Sequence, residues 1–232
     1  LSKRQAASSI KPLIYAAALE NGMDPCTYLD NSKNEFENYK DWRPANYDNS
    51  ISENVDIAMW YALAHSVNLS TIDLYFKTGH DNVKNLLSKV GIDAPQNETP
   101  AISIGAIDVS LYQMVKAYCA FANNGNIPDE LVMINEITDA QGKILYKNPK
   151  KSFKQAFSEL TSEEITAMLQ RAIDSGTGRT LRSRYGISSE LAGKTGTSQN
   201  YSDAWFIAYT PGIVIGTWVG AMSPKMHFQS GL

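Results

Sequence analysis

The segment Ser8-Ser9-Ile10-Lys11 places a hydroxyl and an amine three residues apart. Apolar residues at helical spacing, followed by the stop signal Asn21-Gly22, predict a helix over 8–19 that starts at this segment. Residues three apart on a helix share a face, so the Lys11 amine can reach the Ser8 hydroxyl. A lysine that is desolvated beside another cation can lose its proton near neutral pH and act as a base. The same spacing also fits a helix cap followed by a solvent-facing lysine, so it needs further support.

The tripeptide Ser66-Val67-Asn68 lies between two predicted helices. In a tight connection its two polar side chains can point into one cleft. Ser66 could then relay a proton between a lysine and a leaving amine, and Asn68 could both donate to and accept from a substrate amide. Taken alone, the tripeptide is equally typical of a turn with a capping asparagine.

A third and rarer pattern is Lys194-Thr195-Gly196-Thr197. On an edge strand it would present a cation and two hydroxyls to a carboxylate, and free backbone groups to an extended substrate. Gly196 permits a close backbone approach because it has no Cβ. A phosphate-binding loop is excluded, since that pattern requires a glycine at position 188, which is a serine.

The elements that must position these three segments change character after Pro128. The first half reads as helical, with further helices predicted at 53–65, 69–77, 80–90 and 109–123. The second half predicts a hairpin of LVMINEI and KILYK around 139–142, a helix at 159–174, and strands at 191–197, 204–210 and 213–219. Because Pro211-Gly212 separates the last two strands, we expect them to be antiparallel. Helices followed by strands indicate an α+β fold with an antiparallel sheet.

We expect residues 1–232 to form one domain, with a helical lobe over about 8–125 and a hairpin, helix and sheet part over about 126–232. A helical pattern begins within a few residues of the start, so we expect the chain to be a fragment of a longer protein. No apolar run reaches the ~20 residues of a membrane span.

Composition excludes several other classes of function. With 21 Lys and Arg against 24 Asp and Glu, the net charge of −3 provides no basic face for nucleic acid. Cys26 and Cys119 do not stand at metal-binding spacing, so no metal or cofactor is indicated. We expect Cys119 to be a buried free thiol, although pairing of the two stays open. A short basic run is predicted to be a solvated loop: Lys147, Lys150, Lys151 and Lys154. No local pattern selects any of three scattered histidines as the base of a Ser-His pair: His65, His80 and His227.

S-x-x-K, S-x-N and K-T-G occur here in the order found in β-lactamases and penicillin-binding proteins. Longer strings resemble the class A, or bifunctional, penicillin-binding proteins over nearly the whole chain: RQAASSIKPLIYAAALE, WRPANYD, ALAHSVNLSTIDL, AISIGAIDVSLYQMVKAYCAFANNG, DSGTGRTL and AGKTGTSQNYSDAWFIAYTPGIVIGTWVG. The resemblance implies the serine β-lactamase and penicillin-binding transpeptidase fold.

The resemblance also implies roles for the three motifs. Ser8 would be the acylated nucleophile and Lys11 its base, with Ser66 and Asn68 as a second catalytic element. Lys194, Thr195 and Thr197 would bind the carboxylate of a donor peptide, with Gly196 beside them, and the backbone N–H groups of Ser8 and Thr197 would form the oxyanion hole. The implied reaction cross-links peptidoglycan: a D-Ala-D-Ala stem peptide loses D-Ala and passes its acyl group to an amine, with carboxypeptidase activity as a possible side reaction.

Further implications concern partners. The ligands would be peptidoglycan stem peptides and β-lactam antibiotics. The full-length protein would also have a glycosyltransferase domain and a membrane anchor. Its location would be the extracytoplasmic face of the bacterial inner membrane. The family also has strands before S-x-x-K and a helix after the last strand. We therefore expect the apolar run 213–219 to be an exposed edge.

Two departures and two alternatives remain. Ala6-Ala7 replaces the usual Pro-Gly and Ile10 a frequent Phe, and we expect little effect on function. A β-lactamase shares the motifs but needs a carboxylate base for deacylation, and Glu98 does not fit that role. A non-catalytic penicillin sensor stays open.

Overall fold

Helices dominate the part of the chain before residue 123, and the main antiparallel sheet follows residue 190. The computed structural model describes residues 2–33, 39, 42–48, 50–149, 152–223 and 225–229. The helices are α1 Lys11–Glu20, α2 Met59–Ala64, α3 Asn68–Thr78, α4 His80–Lys89, α5 Leu111–Ala122, α6 Glu159–Asp174 and α7 Thr180–Ser183, with 3-10 turns at Ala7–Ile10 and Pro100–Ile104. The strands are β1 Arg4–Gln5, β2 Tyr28–Asp30, β3 Asp56–Ala58, β4 Asp108–Val109, β5 Asn126–Pro128, β6 Glu136–Thr138, β7 Ile144–Lys147, β8 Phe153–Gln155, β9 Ala192–Thr197, β10 Asp203–Thr210 and β11 Ile213–Gly220.

The main sheet has the order β11-β10-β9, and both pairings are antiparallel. Thr210 pairs with Ile213 across the turn, and Lys194 of β9 lies opposite Ile207 of β10. Helix α6 packs on β9 and helix α5 packs on β11. Among the described residues β9 has a partner strand on one side only, so its other edge is open. The predicted antiparallel sheet and the edge position of K-T-G are confirmed.

Helix α1 is the centre of the core. Every residue from Lys11 to Leu19 is buried, because α1 packs against α3, α4 and α6. A helix that is apolar on nearly all sides is stable only when it is surrounded by other elements. Lys11 is the one charged residue among these buried positions, and the same packing removes its side chain from water.

The predictions of helix 159–174 and of the hairpin are confirmed, but the predicted helix 53–65 is partly wrong. Asn54 has a φ of 61°, which a helix cannot contain, and Asp56–Ala58 form a strand that pairs with β2. The predicted helix 109–123 starts at Leu111 instead, since Ser110 forms a capping box with Gln113.

Smaller predictions about the surface also need correction. Cys119 is half-buried rather than buried, and both cysteines are free thiols. Lys147 and Lys154 are exposed but lie in β7 and β8, so the loop prediction is wrong for them, while residues 150 and 151 fall outside the described residues. No helix within the described ranges is long and apolar enough to cross a membrane. The described residues also contain no group of three or more His, Cys, Asp or Glu side chains that could hold a metal ion.

Glu20, at the end of α1, ties this helix to the start of α6. Its Oε1 accepts hydrogen bonds from Ser158 N at 2.9 Å, Ser158 Oγ at 2.7 Å and Thr161 Oγ1 at 2.7 Å. Partial burial alone would raise the pKa of Glu20, but these hydrogen bonds lower it overall. The carboxylate therefore stabilises the fold above its unfolded pKa, and this contribution is lost as the pH falls through the lower folded pKa.

We expect Glu20→Ala to lower the free energy of unfolding by about 1–2 kcal/mol at pH 7, because three donors lose a charged acceptor. Thermal unfolding at pH 7 and pH 3 measures this, and the difference from wild type should shrink at pH 3. Glu163→Ala on α6, where the side chain is exposed, is the control and should leave the melting temperature unchanged. A Glu20→Ala deficit of the same size at both pH values would contradict the assignment.

Candidate active site

Ser8 lies in the 3-10 turn that precedes α1, and its hydroxyl is available for chemistry. Ser8 is half-buried, whereas Ala7, Ser9 and Ile10 in the same turn are buried. Ser9 Oγ donates to Ala6 O at 2.6 Å, so that hydroxyl is committed to the turn. The Ser8 hydroxyl has no hydrogen-bond partner in the part of the chain that the structure describes. The two adjacent serines therefore differ, since the hydroxyl of Ser8 is free to react and that of Ser9 is not.

The turn differs from the helix start predicted for this segment. The α-helix begins at Lys11, with Pro12 in its first turn, and the Lys11 N–H donates to Ser8 O. Ala7 is buried and has a φ of 47°. Gly105 packs directly against it, since a Cβ at Gly105 would lie 2.0 Å from Ala7 O. The left-handed region costs a residue with a Cβ roughly 1–2 kcal/mol. This explains why glycine is usual at position 7 in the family that the sequence resembles.

The Lys11 amine is surrounded by oxygen atoms of the S-x-N segment. Its Nζ lies 2.7 Å from Ser66 O, 2.8 Å from Asn68 Oδ1, 3.3 Å from Val67 O and 3.4 Å from Ser66 Oγ. Burial, together with the nearby charge of Lys194, holds the pKa of Lys11 well below its ordinary value. Both effects disfavour the protonated form of this amine.

The orientation of Asn68 defines what a neutral Lys11 can do. Asn68 Nδ2 donates to Ala45 O at 2.8 Å, so Oδ1 is the atom that faces Lys11. A neutral amine has two N–H bonds, which suit the two closest acceptors, Ser66 O and Asn68 Oδ1. Its lone pair then remains for a hydroxyl proton, and Ser66 Oγ is near enough to take part. The amine is arranged as a proton acceptor.

Ser66 adopts a left-handed backbone with a φ of 58°, between the end of α2 and the start of α3. Such a conformation in a non-glycine residue costs of order 1–3 kcal/mol and persists only where surrounding contacts hold it. Here the Ser66 carbonyl accepts the shortest of the Lys11 hydrogen bonds.

Lys194 is the second buried amine of the site. Its side chain is 0% exposed, and its one hydrogen bond within the described residues goes to the adjacent Thr195 O at 3.1 Å. Burial lowers the pKa of Lys194 to about 7. Since its charge also lowers the pKa of Lys11, the two amines do not readily carry protons together. An ammonium with so few partners would be stabilised by an anion held nearby.

The other residues of β9 divide between the interior and the cleft. Gly196 is buried, and a Cβ there would lie 2.9 Å from Ser9 N and 3.2 Å from Ala6 O. Its small size therefore lets the strand pack against the turn that carries Ser8. Thr197 is exposed, and Thr195 is half-buried with its hydroxyl donating to Thr177 Oγ1 at 2.9 Å.

The turn after β9 is fixed to the start of the chain by a buried ion pair. Arg4 Nε lies 2.7 Å from Asp203 Oδ1, and the Trp218 indole N–H donates to the same oxygen at 3.0 Å. Burial would raise the pKa of Asp203, but hydrogen bonds from Arg4, Ser202 and Trp218 lower it overall. Asp203 N donates to Ser198 Oγ at 2.9 Å, which closes the turn directly after Thr197.

Aromatic side chains join the loop at Tyr47 to the turn that follows β9. Tyr47 and Tyr201 lie with their hydroxyl oxygens 3.3 Å apart and their rings nearly perpendicular. His65 stacks on Tyr61 with ring centroids 4.0 Å apart, and His80 is hydrogen-bonded to Tyr75. No hydrogen bond joins a histidine to Ser8 in the described part of the chain, so a Ser-His pair still has no support.

The structure thus brings Lys11, Ser66 and Asn68 into direct contact and places Lys194 close enough to affect Lys11. Sequence reasoning singled out neither Thr177 nor Tyr201, although both lie in strings that matched the resembled family, DSGTGRTL and AGKTGTSQNYSDAWFIAYTPGIVIGTWVG. A hydroxyl that meets Thr195 from a separate helix connection has no local pattern. Such contacts become visible only in the folded chain.

Comparison with known proteins gives concordant results. The family model of the penicillin-binding protein transpeptidase domain matches residues 2–222. Penicillin-binding protein 1A of Aquifex aeolicus is 34% identical over 223 residues, covering 94% of this chain and 29% of that protein. Penicillin-binding protein 2D of Bacillus subtilis is 33% identical, covering 94% of this chain and 32% of that protein. The chain therefore spans about a third of the length of these relatives.

Solved structures agree in fold. The crystal structure of penicillin-binding protein 1A from Haemophilus influenzae matches with a TM-score of 0.87 and 25% identity, covering 97% of this chain and 39% of that one. The imipenem acyl-enzyme complex of penicillin-binding protein A from M. tuberculosis matches with a TM-score of 0.81 and 17% identity, covering 94% and 55%. The predicted α+β fold is confirmed.

Proposed function

The chain belongs to the penicillin-binding protein transpeptidase domain family, and from this premise we propose that it cross-links peptidoglycan through an acyl-Ser8 intermediate. The observation that carries the proposal is the buried Lys11 amine, held against Ser66 and Asn68 and lowered in pKa by burial and by Lys194. An amine in this state can accept a proton from a serine at neutral pH. The freely available hydroxyl of Ser8 in the preceding turn is the matching nucleophile.

In the first half-reaction, Ser8 Oγ attacks the carbonyl carbon of the penultimate D-Ala, and Lys11 Nζ accepts the hydroxyl proton. The backbone N–H groups of Ser8 and Thr197 stabilise the oxyanion, where one such donor contributes roughly 10²–10³ in rate. The C–N bond to the terminal D-Ala then breaks. The leaving amine receives the proton from Lys11 through Ser66, whose hydroxyl is 3.4 Å from the Lys11 amine. The product is an ester on Ser8 and free D-Ala.

In the second half-reaction, an amine from a neighbouring stem peptide attacks the ester. Its proton returns through Ser66 and Lys11 to the Ser8 oxygen as the C–O bond breaks, which restores the hydroxyl and forms the cross-link. Water in place of the amine would yield carboxypeptidase activity by the same steps.

Lys194, Thr195 and Thr197 bind the terminal carboxylate of the donor peptide in this proposal. The sparse hydrogen bonding of Lys194 supports the assignment, since a carboxylate would supply the missing acceptors and raise the fraction of protonated Lys194. The open edge of β9 supports pairing with an extended donor peptide. Asn68 is proposed to contact a substrate amide through its second Nδ2 hydrogen and the second lone pair of Oδ1, since Ala45 O and Lys11 Nζ use the first of each.

β-Lactams are proposed as alternative acyl donors for Ser8, with support from the related fold that forms an imipenem acyl-enzyme.

The relatives extend well beyond the shared region, which supports a setting within a longer cell-envelope protein with a glycosyltransferase domain and a membrane anchor at the extracytoplasmic face.

Brief exposure to benzylpenicillin, followed by intact-mass measurement and peptide mapping, tests the proposed function. We expect one adduct, on the peptide that contains Ser8, and fragmentation should assign it to Ser8 rather than Ser9. Heat-unfolded protein is the control and should carry no adduct, because the pKa of Lys11 then returns to its ordinary value. An adduct on Ser9 or Ser66 would contradict the mechanism.

The lifetime of the adduct separates the two alternative functions. Rapid loss of the adduct with accumulation of hydrolysed penicillin would indicate a β-lactamase. A long-lived adduct without release of D-Ala from a stem peptide by the full-length protein would indicate a sensor. A long-lived adduct together with D-Ala release supports the transpeptidase.

A further inference from the structure

The start of α3, which carries Asn68, is not capped by its own N-cap residue. The N-cap position is Val67, whose side chain has no hydrogen-bonding atom. The first N–H groups of a helix need acceptors from outside the helix. Here Asn46 Oδ1 accepts from Asn68 N at 3.0 Å and from Leu69 N at 3.1 Å. The cap thus comes from an asparagine 22 residues earlier in the chain.

Asn46 is itself held by a buried amide. Its Nδ2 donates to Asn31 Oδ1 at 2.9 Å, and Asn31 Nδ2 donates to Ser52 O at 2.8 Å. Asn31 is 0% exposed. Because each amide nitrogen faces an oxygen acceptor, the orientation of both side chains is defined, and Asn46 Oδ1 must point towards α3.

The side chain of Asn68 is held by the residue next to Asn46. Asn68 Nδ2 donates to Ala45 O at 2.8 Å, and its Oδ1 accepts from Lys11 Nζ at 2.8 Å. Hydrogen bonds to residues 45 and 46 thus hold both the backbone and the side chain of Asn68. A continuous set of hydrogen bonds runs from Asn31 through Asn46 and Asn68 to the Lys11 amine.

We propose that Asn46 is a positioning residue for the acylation of Ser8, acting through Asn68 on the Lys11 amine. This inference rests on the proposed function. Within the described residues, Asn46 is hydrogen-bonded neither to Ser8 nor to the Lys11 amine. Its effect is to fix the first turn of α3, so that Asn68 Oδ1 occupies one of the two short acceptor positions around Lys11. Without the Asn46 cap, the first turn of α3 frays, and Asn68 Oδ1 no longer holds the Lys11 amine in a fixed orientation.

The test compares acylation by benzylpenicillin in wild type, Asn46→Ala, Asn46→Asp and Asn46→Ser between pH 5 and pH 9, with melting temperatures alongside. Asn46→Asp keeps an acceptor for the two helix N–H groups but loses the donor to Asn31 Oδ1, while Asn46→Ala keeps neither. The matched control is Ser110→Ala, which removes the N-cap of α5, a helix that carries none of the proposed site residues. Asn46→Ser is a milder replacement that keeps the test informative if Asn46→Ala fails to fold.

We expect Asn46→Ala to acylate about tenfold more slowly or worse per folded molecule, and the acidic limb of its pH profile to move. That limb reports the protonation of the base in the free protein. Asn46→Ser should show a smaller change of the same kind. Asn46→Asp should recover part of the wild-type rate, because it keeps the helix cap but loses the hydrogen bond to Asn31 Oδ1. Ser110→Ala should lower the melting temperature without changing rate or profile.

Asn46→Ala and Asn46→Ser variants that lose only thermal stability, with wild-type acylation and pH profile, would overturn the positioning role. This outcome is distinct from failure of the proposed function, in which the wild-type protein itself forms no adduct on Ser8.

Discussion

Replacing Lys11 with arginine is expected to lower the rate of acylation by benzylpenicillin by about 10²–10⁴-fold, the usual contribution of a general base. A guanidinium group keeps the positive charge but cannot give up its proton at accessible pH. In the native protein, burial and the charge of Lys194 hold the pKa of Lys11 well below its ordinary value, so both disfavour the protonated form, which cannot act as a base.

Stopped-flow or gel-based labelling kinetics would measure this loss, and near-ultraviolet circular dichroism would confirm that the variant is folded. Lys77→Arg is the matched control, since Lys77 lies exposed on α3 and pairs with Asp73. Lys11→Met, which removes the charge at similar size, should lose as much activity as Lys11→Arg. If Lys11→Arg acylates at the wild-type rate, Lys11 is not the base.

Replacing Lys194 with methionine is expected to raise the stability of the protein while lowering its rate of acylation. Lys194→Met should raise the free energy of unfolding at pH 7 by about 1–4 kcal/mol, because an apolar side chain of similar length replaces a poorly paired buried amine. For a chain of this size, each kcal/mol shifts the melting temperature by roughly 2–4 °C. Acylation should fall by about 10- to 100-fold, since the penicillin carboxylate loses a charged partner.

The pH dependence identifies the cause of the added stability. The pKa of Lys194 is lowered to about 7, so the folded protein binds fewer protons than the unfolded chain between pH 7 and the ordinary lysine pKa of 10.5. The destabilisation is therefore complete below about pH 7 and disappears as the pH approaches 10.5. The melting-temperature difference between Lys194→Met and wild type should narrow over that interval. Lys143→Met, at an exposed lysine, should show no such trend.

Lys194→Arg tests the division of roles between the two lysines. It keeps a cation for the carboxylate, so we expect a smaller loss of acylation than in Lys11→Arg. Equal losses in the two arginine variants would show that the base and the anchor have been assigned wrongly.

Much of the fold could be predicted from local patterns. Helix 159–174 and the three strands of the main sheet have strong periodicity and clear turn signals, and the structure places them within a residue or two of the prediction. The two- and three-residue strands β1 to β5 could not be found in this way, because segments so short have no measurable period. The predicted helix 53–65 failed for a related reason, since Asp56–Ala58 within it form a three-residue strand that pairs with β2.

The sequence alone determined which chemical groups are available and in what order: one serine and one lysine three residues apart, a serine and an asparagine between two helices, and a lysine beside two threonines on a strand. These are local properties, set by residue type and spacing. Tertiary structure alone decided that Ser8 rather than Ser9 is free and that both lysines are removed from water. It also decided that an asparagine in a distant loop caps the helix that carries Asn68. The cap of α3 comes from 22 residues earlier in the chain, and the pKa of Lys11 depends on Lys194 near the other end, so no short window of sequence contains either pair.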